Sequence, residues 1–246
     1  MAMAGAPNVT VLPDLAALSR AGAERFVAAA GDAYRRRERF AVALTGGDTA
    51  RVMYEVLAAE YAARVPWHVV EAFFGDERCV PPDDPASNYG MAHRALLSHV
   101  PLQAERVHRM PGEVRPTDEG ARRYERVVRE RLAAGGADAG FDLVLLGIGA
   151  DGHTASLFPG SPALAIEDRW VAAVEAPPAA PVRDRLTLTL PCLTRAREIL
   201  VVVSGEAKRE ALQRIWHPGE GEPLPPARLP AARMRWLVDR AAAPGG

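Results

Sequence analysis

The chain has 246 residues, 48% of them hydrophobic, and its 30 lysines and arginines nearly balance its 31 aspartates and glutamates. A formal net charge of −1 gives no broad positive field, so we expect neither nucleic acid nor a membrane as a partner. Cys79 and Cys192 are too few for a disulfide framework and indicate a reducing compartment, so we expect a cytoplasmic protein. The sequence also lacks a signal-peptide pattern and any apolar run near the roughly 20 residues of a membrane helix.

The first half of the chain alternates predicted helices with short apolar strands. Asp14 is typical of a helix N-cap, and the apolar residues after it recur at helical spacing. The glycine pair at 135–136 is a usual stop for the last helix of this half. In chain order the pattern predicts a helix over 14–37, a strand over 40–44, a helix over 49–63, a strand over 69–74, a helix over 87–99, a short strand over 107–110 and a helix over 117–134.

The second half continues the alternation. Residues 143–146 form an apolar run without polar alternation, which is typical of a strand buried on both faces. Residues 185–190 alternate with period two and predict a half-buried edge strand. Residues 218–230 are rich in proline, and we interpret them as a surface connection, with a lid as the alternative. The remaining pattern predicts strands over 170–174, 199–203 and 235–238, and a helix that ends at Trp216.

Strands and helices that alternate in this way predict a parallel sheet covered on both faces. The sequence contains no internal repeat and no low-complexity tail. No stretch has the composition of a linker between domains, so we expect one domain over residues 1–246.

Glycine, aspartate, histidine, threonine and serine directly follow the buried strand 143–146. Polar groups in that position lie at the carboxyl edge of the sheet, where open α/β folds bind ligands. Residues 147–152 also fit G-x-G-x-x-G, so dinucleotide binding is an alternative. Pro159 and Pro162 would end the required helix after one or two turns, and the motif does not follow the first strand. We therefore favour a different ligand.

Asp151 and His153 stand two residues apart at what we predict to be the start of a short helix. A carboxylate near a histidine can fix its tautomer and raise its basicity, as a general base requires. The alternative is that Asp151 only caps the helix while His153 packs. The position after a buried strand favours a catalytic pair.

Residues at other strand ends are suited to an anion. The turn at 45–49 has two glycines before a predicted helix, and amides at a helix N-terminus favour phosphate. It is not a Walker loop, because no Gly-Lys-Ser/Thr follows, and a plain tight turn is the alternative. Arg78 can hold a phosphate or an oxyanion through its planar guanidinium, or can form a solvated ion pair. Arg185 opens its strand, and Lys208 lies in the first turn of the next helix.

The remaining histidines share no spacing that would suit a metal, and the two cysteines are far apart in sequence. We therefore predict no metal site and read these histidines as surface or packing groups. They are His68, His93, His99, His108 and His217.

Taken together, the loop motifs resemble those of the 6-phosphogluconolactonase family. The resemblance covers nearly the whole chain, and D-G-H-T-A-S-L-F-P at 151–159 is its most specific part. Thr45 and Ala50 depart from the family, which commonly has Ser and Pro there, although Thr45 keeps a hydroxyl. The other matching motifs are T-G-G-D-T at 45–49, F-G-D-E-R at 74–78, S-N-Y at 87–89, R-L-T-L at 185–188 and V-S-G-E-A-K at 203–208.

The resemblance implies an α/β fold, a three-layer sandwich with a mostly parallel Rossmann-like sheet, related to glucosamine-6-phosphate deaminase and ribose-5-phosphate isomerase. It implies hydrolysis of 6-phospho-D-glucono-1,5-lactone in the oxidative pentose phosphate pathway, with no metal and no cofactor, by a monomer or a homodimer. Family roles fall on His153 as the base that activates water, with Asp151 beside it. The positions implied for substrate binding are Gly46, Gly47, Asp48, Thr49, Arg78, Arg185 and Lys208.

Two other functions are alternatives. The first is an amino-sugar phosphate deaminase, a family in which a glutamate follows the D-G-H histidine by five residues. Here that position is Phe158, which cannot transfer a proton, and Arg78 stands where that family tends to have an aromatic. The second is a sensor that binds a sugar phosphate without catalysis, and the intact Asp151–His153 pair argues against it.

Overall fold

The computed structural model describes residues 8–133 and 139–245. The described residues form nine strands, which divide into a sheet of six and a sheet of three. The strands are β1 (Asn8–Leu12), β2 (Phe40–Leu44), β3 (Val70–Phe74), β4 (Asp76–Arg78), β5 (Leu143–Leu146), β6 (Val171–Glu175), β7 (Asp184–Leu188), β8 (Ile199–Val203) and β9 (Met234–Asp239).

The larger sheet has the order β1-β9-β8-β5-β2-β3, and every pair in it is parallel. The strands β2, β5 and β8 are buried along their whole length, as expected for strands covered on both faces. Helices flank this sheet, so the predicted α/β fold with a mostly parallel sheet is confirmed. The helices are α1 (Leu15–Arg37), α2 (Asp48–Val56), α3 (Asn88–Ala95), α4 (Thr117–Leu132), α5 (Leu190–Leu193) and α6 (Arg209–Trp216).

Helix α1 shows how local sequence sets these elements. It begins after Asp14, whose side chain accepts a hydrogen bond from the amide of Ala17 at 2.8 Å, as predicted for an N-cap. It ends at Arg37, and the next residue, Glu38, caps it with a φ of 51° in the left-handed region. Its buried face includes Phe26, which meets Phe40 of β2 edge-to-face at 5.4 Å between ring centroids. This contact joins the helix to the sheet.

The smaller sheet is antiparallel, has the order β4-β7-β6, and differs from the predicted pattern at two places. Residues 76–78 form a strand that the sequence pattern does not predict, and Arg78 pairs with Arg185 across β4 and β7. The predicted half-buried edge strand at 185–190 is wrong, because β7 is the central strand and is buried from Arg185 onward. Threonines alternate with leucines in this segment, which led to the prediction of one solvent-exposed face. Thr187 is instead buried and hydrogen-bonded, so both faces of the strand are covered.

Several predicted boundaries shift. The strand β1 pairs with β9 at the edge of the larger sheet, and the sequence pattern does not predict it. Predicted strand 107–110 is reduced to one bridge between Ala72 and Val107. The predicted helix 49–63 is α-helical only to Val56 and then continues as a π turn and a 3-10 turn. Residues 134–136, where the helix stop was predicted, lie outside the described residues.

Two buried tyrosines hydrogen-bond the backbone at the carboxyl ends of β2 and β3. The hydroxyl of Tyr54 accepts from the amide of Thr45 at 2.9 Å and donates to its carbonyl at 3.0 Å. Tyr124 does the same for Phe74, at 2.8 and 3.1 Å. Burial raises the pKa of both phenols, so they stay neutral and keep the proton that they donate. The backbone groups of Phe74 at the end of β3 and of Thr45 just after β2 are therefore satisfied where the site loops begin.

In the part of the chain that the structure describes, we find no helix with the length and apolar character needed to span a bilayer.

Candidate active site

The loops that follow β2, β3, β5 and β8 meet at the carboxyl edge of the larger sheet and enclose a cavity of about 240 Å³. The strand β7 contributes the remaining wall through Arg185. Among the residues predicted for the site, those that line this cavity are Gly46, Gly47, Arg78, His153, Arg185 and Lys208.

Asp151 and His153 form a hydrogen-bonded pair. The Nδ1 atom of His153 lies 2.6 Å from Oδ1 of Asp151, which also accepts the backbone amide of His153 at 3.2 Å. A carboxylate at Nδ1 selects the tautomer that carries its proton there, which leaves Nε2 as the basic nitrogen. Asp151 itself does not line the cavity, so its contact with the site passes through the imidazole.

The turn that carries the pair is not the short helix that the sequence predicts. Residues 149–153 form a turn in which the amide of Gly149 donates to the carbonyl of His153 at 2.8 Å, and that of Gly152 donates to Gly149 at 3.0 Å. Gly152 has φ of +89°, a conformation that ends helical geometry and favours glycine. The hydroxyl of Thr154 donates to the carbonyl of Gly147 at 2.9 Å and closes the turn onto β5.

Arg78 and Arg185 bring two positive charges together on the cavity wall. They lie directly opposite each other in the β4–β7 pair, an arrangement that destabilises a sheet when the charges are alike. Arg78 donates from Nη1 to the carbonyl of Ala86 at 2.6 Å, and Arg185 donates from Nε to the carbonyl of Val182 at 2.9 Å. Within the described residues neither makes a direct ion pair with a carboxylate. Burial, followed by the charge of Arg78, lowers the pKa of Arg185.

Glu77, between the two wall positions Asp76 and Arg78, is 2% exposed and accepts four hydrogen bonds. Its carboxylate takes the backbone amides of Arg78, Asn88 and Tyr89 at 2.6–2.8 Å and the hydroxyl of Ser87 at 3.0 Å. Burial is the largest influence on the pKa of Glu77 and raises it, against the lowering effect of the three amides. The carboxylate therefore fixes the start of α3 against the strand that carries Arg78.

The turn at 45–49 approaches α3 closely. Gly47 has φ of +94° and caps α2, and Gly46 lies so near the Asn88 amide group that a methyl group there would collide with it. Asp48 turns away from the cavity, with 95% of its side chain exposed and Arg51 3.5 Å away. Asp48 and Thr49 do not line the cavity, whereas Gly46 and Gly47 do.

Lys208 reaches the cavity from a 3-10 turn, Glu206–Lys208, that precedes α6. The turn before it is held by Asp239 at the end of β9. The Asp239 carboxylate accepts the hydroxyl of Ser204 and the amide of Gly205, the latter at 3.1 Å. Gly205 has φ of +95°, which lets the chain reverse at this point.

Sequence reasoning missed two polar groups on the wall, Asp76 and Asn88. Asp76 accepts the hydroxyl of Ser156 at 2.6 Å and the side-chain amide of Asn88 at 3.1 Å, so it joins the β4 strand to the D-G-H-T-A-S loop and to α3. Both residues belong to motifs that the resemblance rests on, but nothing in one sequence shows which neighbours they reach across the fold.

A larger cleft of about 750 Å³ lies at the opposite, amino edge of the sheet. Two of the arginines that line it are matched by acids: Arg25 binds Glu198 through both guanidinium arms, and Arg37 lies 2.7 Å from Asp142. We place the functional site at the smaller cavity, because only there do the described residues combine a histidine–aspartate pair with cations that lack carboxylate partners. Residues 8–133 and 139–245 contain no group of three metal-ligating side chains.

Known proteins resemble this chain over nearly its whole length. The family described as glucosamine-6-phosphate isomerases/6-phosphogluconolactonase matches residues 13–238. A 6-phosphogluconolactonase from Nostoc sp. is 37% identical over 238 residues, covering 96% of this chain and 96% of that protein. A 6-phosphogluconolactonase from Mycobacterium tuberculosis is 38% identical over 246 residues, covering 96% of this chain and 97% of that protein.

Among solved structures, 6-phosphogluconolactonase from Trypanosoma cruzi superposes with a TM-score of 0.85 at 29% identity, covering 98% of this chain and 97% of that one. A monomeric glucosamine-6-phosphate deaminase superposes with a TM-score of 0.77 at 20% identity, covering 96% and 98%. The second likeness shows a shared fold only.

Proposed function

We propose a mechanism for this chain from the geometry of its site. The chain belongs to the glucosamine-6-phosphate isomerase/6-phosphogluconolactonase family, and its relatives are 6-phosphogluconolactonases. The reaction is hydrolysis of 6-phospho-D-glucono-1,5-lactone to 6-phospho-D-gluconate in the pentose phosphate pathway. The substrate is a small phosphosugar, and the site residues below are the part that we infer.

His153 acts as the general base. With Nδ1–H donated to Asp151, Nε2 takes a proton from a water molecule while the water oxygen attacks the lactone carbonyl carbon. A tetrahedral oxyanion forms, the bond from that carbon to the ring oxygen breaks, and the imidazolium returns its proton to the ring oxygen. One positioned base of this kind contributes about 10²–10⁴-fold to a rate. Asp151 orients the imidazole and stabilises its charged form.

Arg78, Arg185 and Lys208, with the amides of the Gly46–Gly47 turn, bind the phosphoryl end and the developing negative charge. The observation that carries this proposal is the pair of arginines that lie opposite each other in the β4–β7 register and line the same cavity as His153. Two like charges in that arrangement need an anion between them, and a phosphate accepts charge-assisted hydrogen bonds from both. Binding the phosphate there orients the lactone toward His153.

The chemistry asks for no metal or cofactor, because an activated lactone needs only a base, a water and an oxyanion donor. We also propose that the protein works in the cytoplasm as a monomer, with a homodimer as the alternative, and without nucleic acid or membrane. The balanced charge of the chain supports the last two points.

The deaminase alternative finds no support at Phe158. Its ring lies 4.7 Å from the imidazole of His153 between centroids, so the position where a deaminase has its glutamate is a hydrocarbon wall of the proposed base. We expect no ammonia release from glucosamine 6-phosphate. Ammonia released at a rate that depends on His153 would support the deaminase instead.

The test is acid release from freshly generated lactone, corrected for spontaneous hydrolysis, with wild type and His153→Ala. We expect turnover in the variant to fall by about 10²–10⁴-fold, while its affinity for 6-phosphogluconate, measured by calorimetry, stays close to that of wild type. A fully active His153→Ala protein contradicts the assignment of the base. A wild-type protein that binds the phosphosugar without hydrolysing the lactone would support the sensor.

A further inference from the structure

The proline-rich connection 218–230 returns to the protein at Leu224. Residues 217–223 are exposed, and Leu224 is the first buried side chain after them, at 6% exposure. Leu229, later in the same connection, is 4% exposed. The second half of the connection is therefore packed against the rest of the protein.

Leu224 packs against the catalytic turn at Gly152, between Asp151 and His153. A methyl group built on Gly152 would meet Leu224 first, with Cδ1 at 2.7 Å, Cδ2 at 3.1 Å and Cγ at 3.3 Å. The leucine side chain therefore occupies the space that any larger residue at 152 would need, and it rests on bare backbone. Gly152 is itself buried, so solvent does not share this contact.

The opposite side of the same turn carries the catalytic groups. A methyl group built on Gly149 would collide with the imidazole of His153 and with the carboxylate of Asp151. The two glycines thus divide the turn: Gly149 leaves room for the imidazole, and Gly152 leaves room for Leu224. Because Gly149 and His153 are joined by a backbone hydrogen bond of 2.8 Å, a shift of one side moves the other.

Leu224 is itself held in place. Its carbonyl accepts the amide of Ala227 at 2.9 Å, at the start of the 3-10 turn Pro225–Arg228. Arg228 closes the segment by binding the carboxylate of Glu222 and the carbonyl of Pro223. Prolines restrict the backbone on this side, so the leucine is presented by a stiff support.

We propose that Leu224 is a positioning residue for His153, and that it keeps the Asp151–Gly152–His153 turn in the geometry that general-base catalysis requires. The inference rests on the proposed role of His153 as the base. Leu224 does not line the substrate cavity, so its loss should not disturb the binding of the phosphosugar. Its removal opens a void beneath Gly152 into which the turn can relax, away from the position that water attack demands.

The experiment compares Leu224→Ala with Leu229→Ala, which removes the same atoms from a buried leucine of the same segment. We expect kcat per folded molecule to fall by about 10- to 100-fold in Leu224→Ala, with KM unchanged. Leu229→Ala should keep the wild-type kcat, although both variants lose stability. Leu224→Met, which restores the volume, should recover most of the activity. If Leu224→Ala does not fold, Leu224→Val replaces it in the comparison with Leu229→Ala, because valine is one methylene shorter and leaves a gap at Gly152.

A spectroscopic readout separates positioning from simple destabilisation. The Nδ1 proton that His153 shares with Asp151 should give a resolved downfield proton signal in wild type and in Leu229→Ala, and should broaden or vanish in Leu224→Ala. Equal kcat and equal signals in the two alanine variants would overturn the inference. His153→Ala, assayed beside them, keeps the outcomes apart: if it is active the base is misassigned, and if it is inactive only the role of Leu224 is at issue.

Discussion

Arginines lie at both the amino and the carboxyl edge of the six-stranded sheet, but their partners differ between the two edges. At the amino edge Arg25 and Arg37 face Glu198 and Asp142, so these two charges are matched within the protein. At the carboxyl edge Arg78 and Arg185 face each other. The comparison teaches that the size of a cleft says less about function than the partners of the individual arginines on its walls. Arginines matched by acids stabilise the fold, whereas arginines set against one another favour an anion from outside.

Of two matched arginine replacements, the one that removes a guanidinium from the carboxyl edge should have the larger effect, and this effect should appear in catalysis. Arg185→Met keeps most of the side-chain length but loses a charge-assisted hydrogen bond to the phosphate, which is worth about 1.5–3 kcal/mol. We expect kcat/KM for the lactone to fall by about 10- to 100-fold, while the free energy of unfolding without ligand stays level or rises as like charges are relieved. A variant with normal kinetics and lower stability would place Arg185 in the fold rather than in the site.

The matched change at the amino edge should have the reverse signature. Arg25→Met removes the bidentate partner of Glu198 and leaves the longer contact to Arg235, whose Nε is 3.4 Å away, so the variant should lose about 1–2 kcal/mol of unfolding free energy. Its kcat/KM should equal that of wild type, because the pair lies at the edge opposite the cavity. Urea unfolding and the lactone assay measure the two quantities. A comparable loss of kcat/KM would break the contrast between the edges.

Inorganic phosphate should distinguish the two arginine variants by a smaller effect, a shift in melting temperature. At about ten times its dissociation constant an anion that binds only the folded protein adds about 1.4 kcal/mol of stability. We expect phosphate to raise the melting temperature of wild type and of Arg25→Met, and to leave that of Arg185→Met nearly unchanged. Equal shifts in all three proteins would mean that the anion binds elsewhere, and chloride at matched ionic strength is the control.

Much of this architecture could be predicted because its signals are local. The strand β5 followed by glycine, aspartate and histidine identifies a buried strand and its functional loop within fifteen or so residues of sequence. The N-cap of α1 at Asp14 is likewise a contact between residues three apart. The Asp151–His153 hydrogen bond spans two residues, and the sequence suggested the pair for that reason.

What could not be predicted depends on residues far apart in the chain. The opposition of Arg78 and Arg185 arises from a strand register that joins positions 107 residues apart, and no local pattern encodes it. Likewise, Asp76 meets Ser156 across the fold, and Leu224 reaches back to Gly152. The interpretation of the chain as one domain stays a prediction.

The phenols of Tyr54 and Tyr124 have a consequence for how this site can change. Tyr54 of α2 holds Thr45, the residue directly after β2, and Tyr124 of α4 holds Phe74, the last residue of β3, so a helix side chain fixes the chain where each strand ends. New residues can therefore enter those loops, and with them new substrates, without fraying the strands that support them. Because tyrosines from the helices hold the ends of these strands, the loops can change substrate specificity while the sheet stays intact.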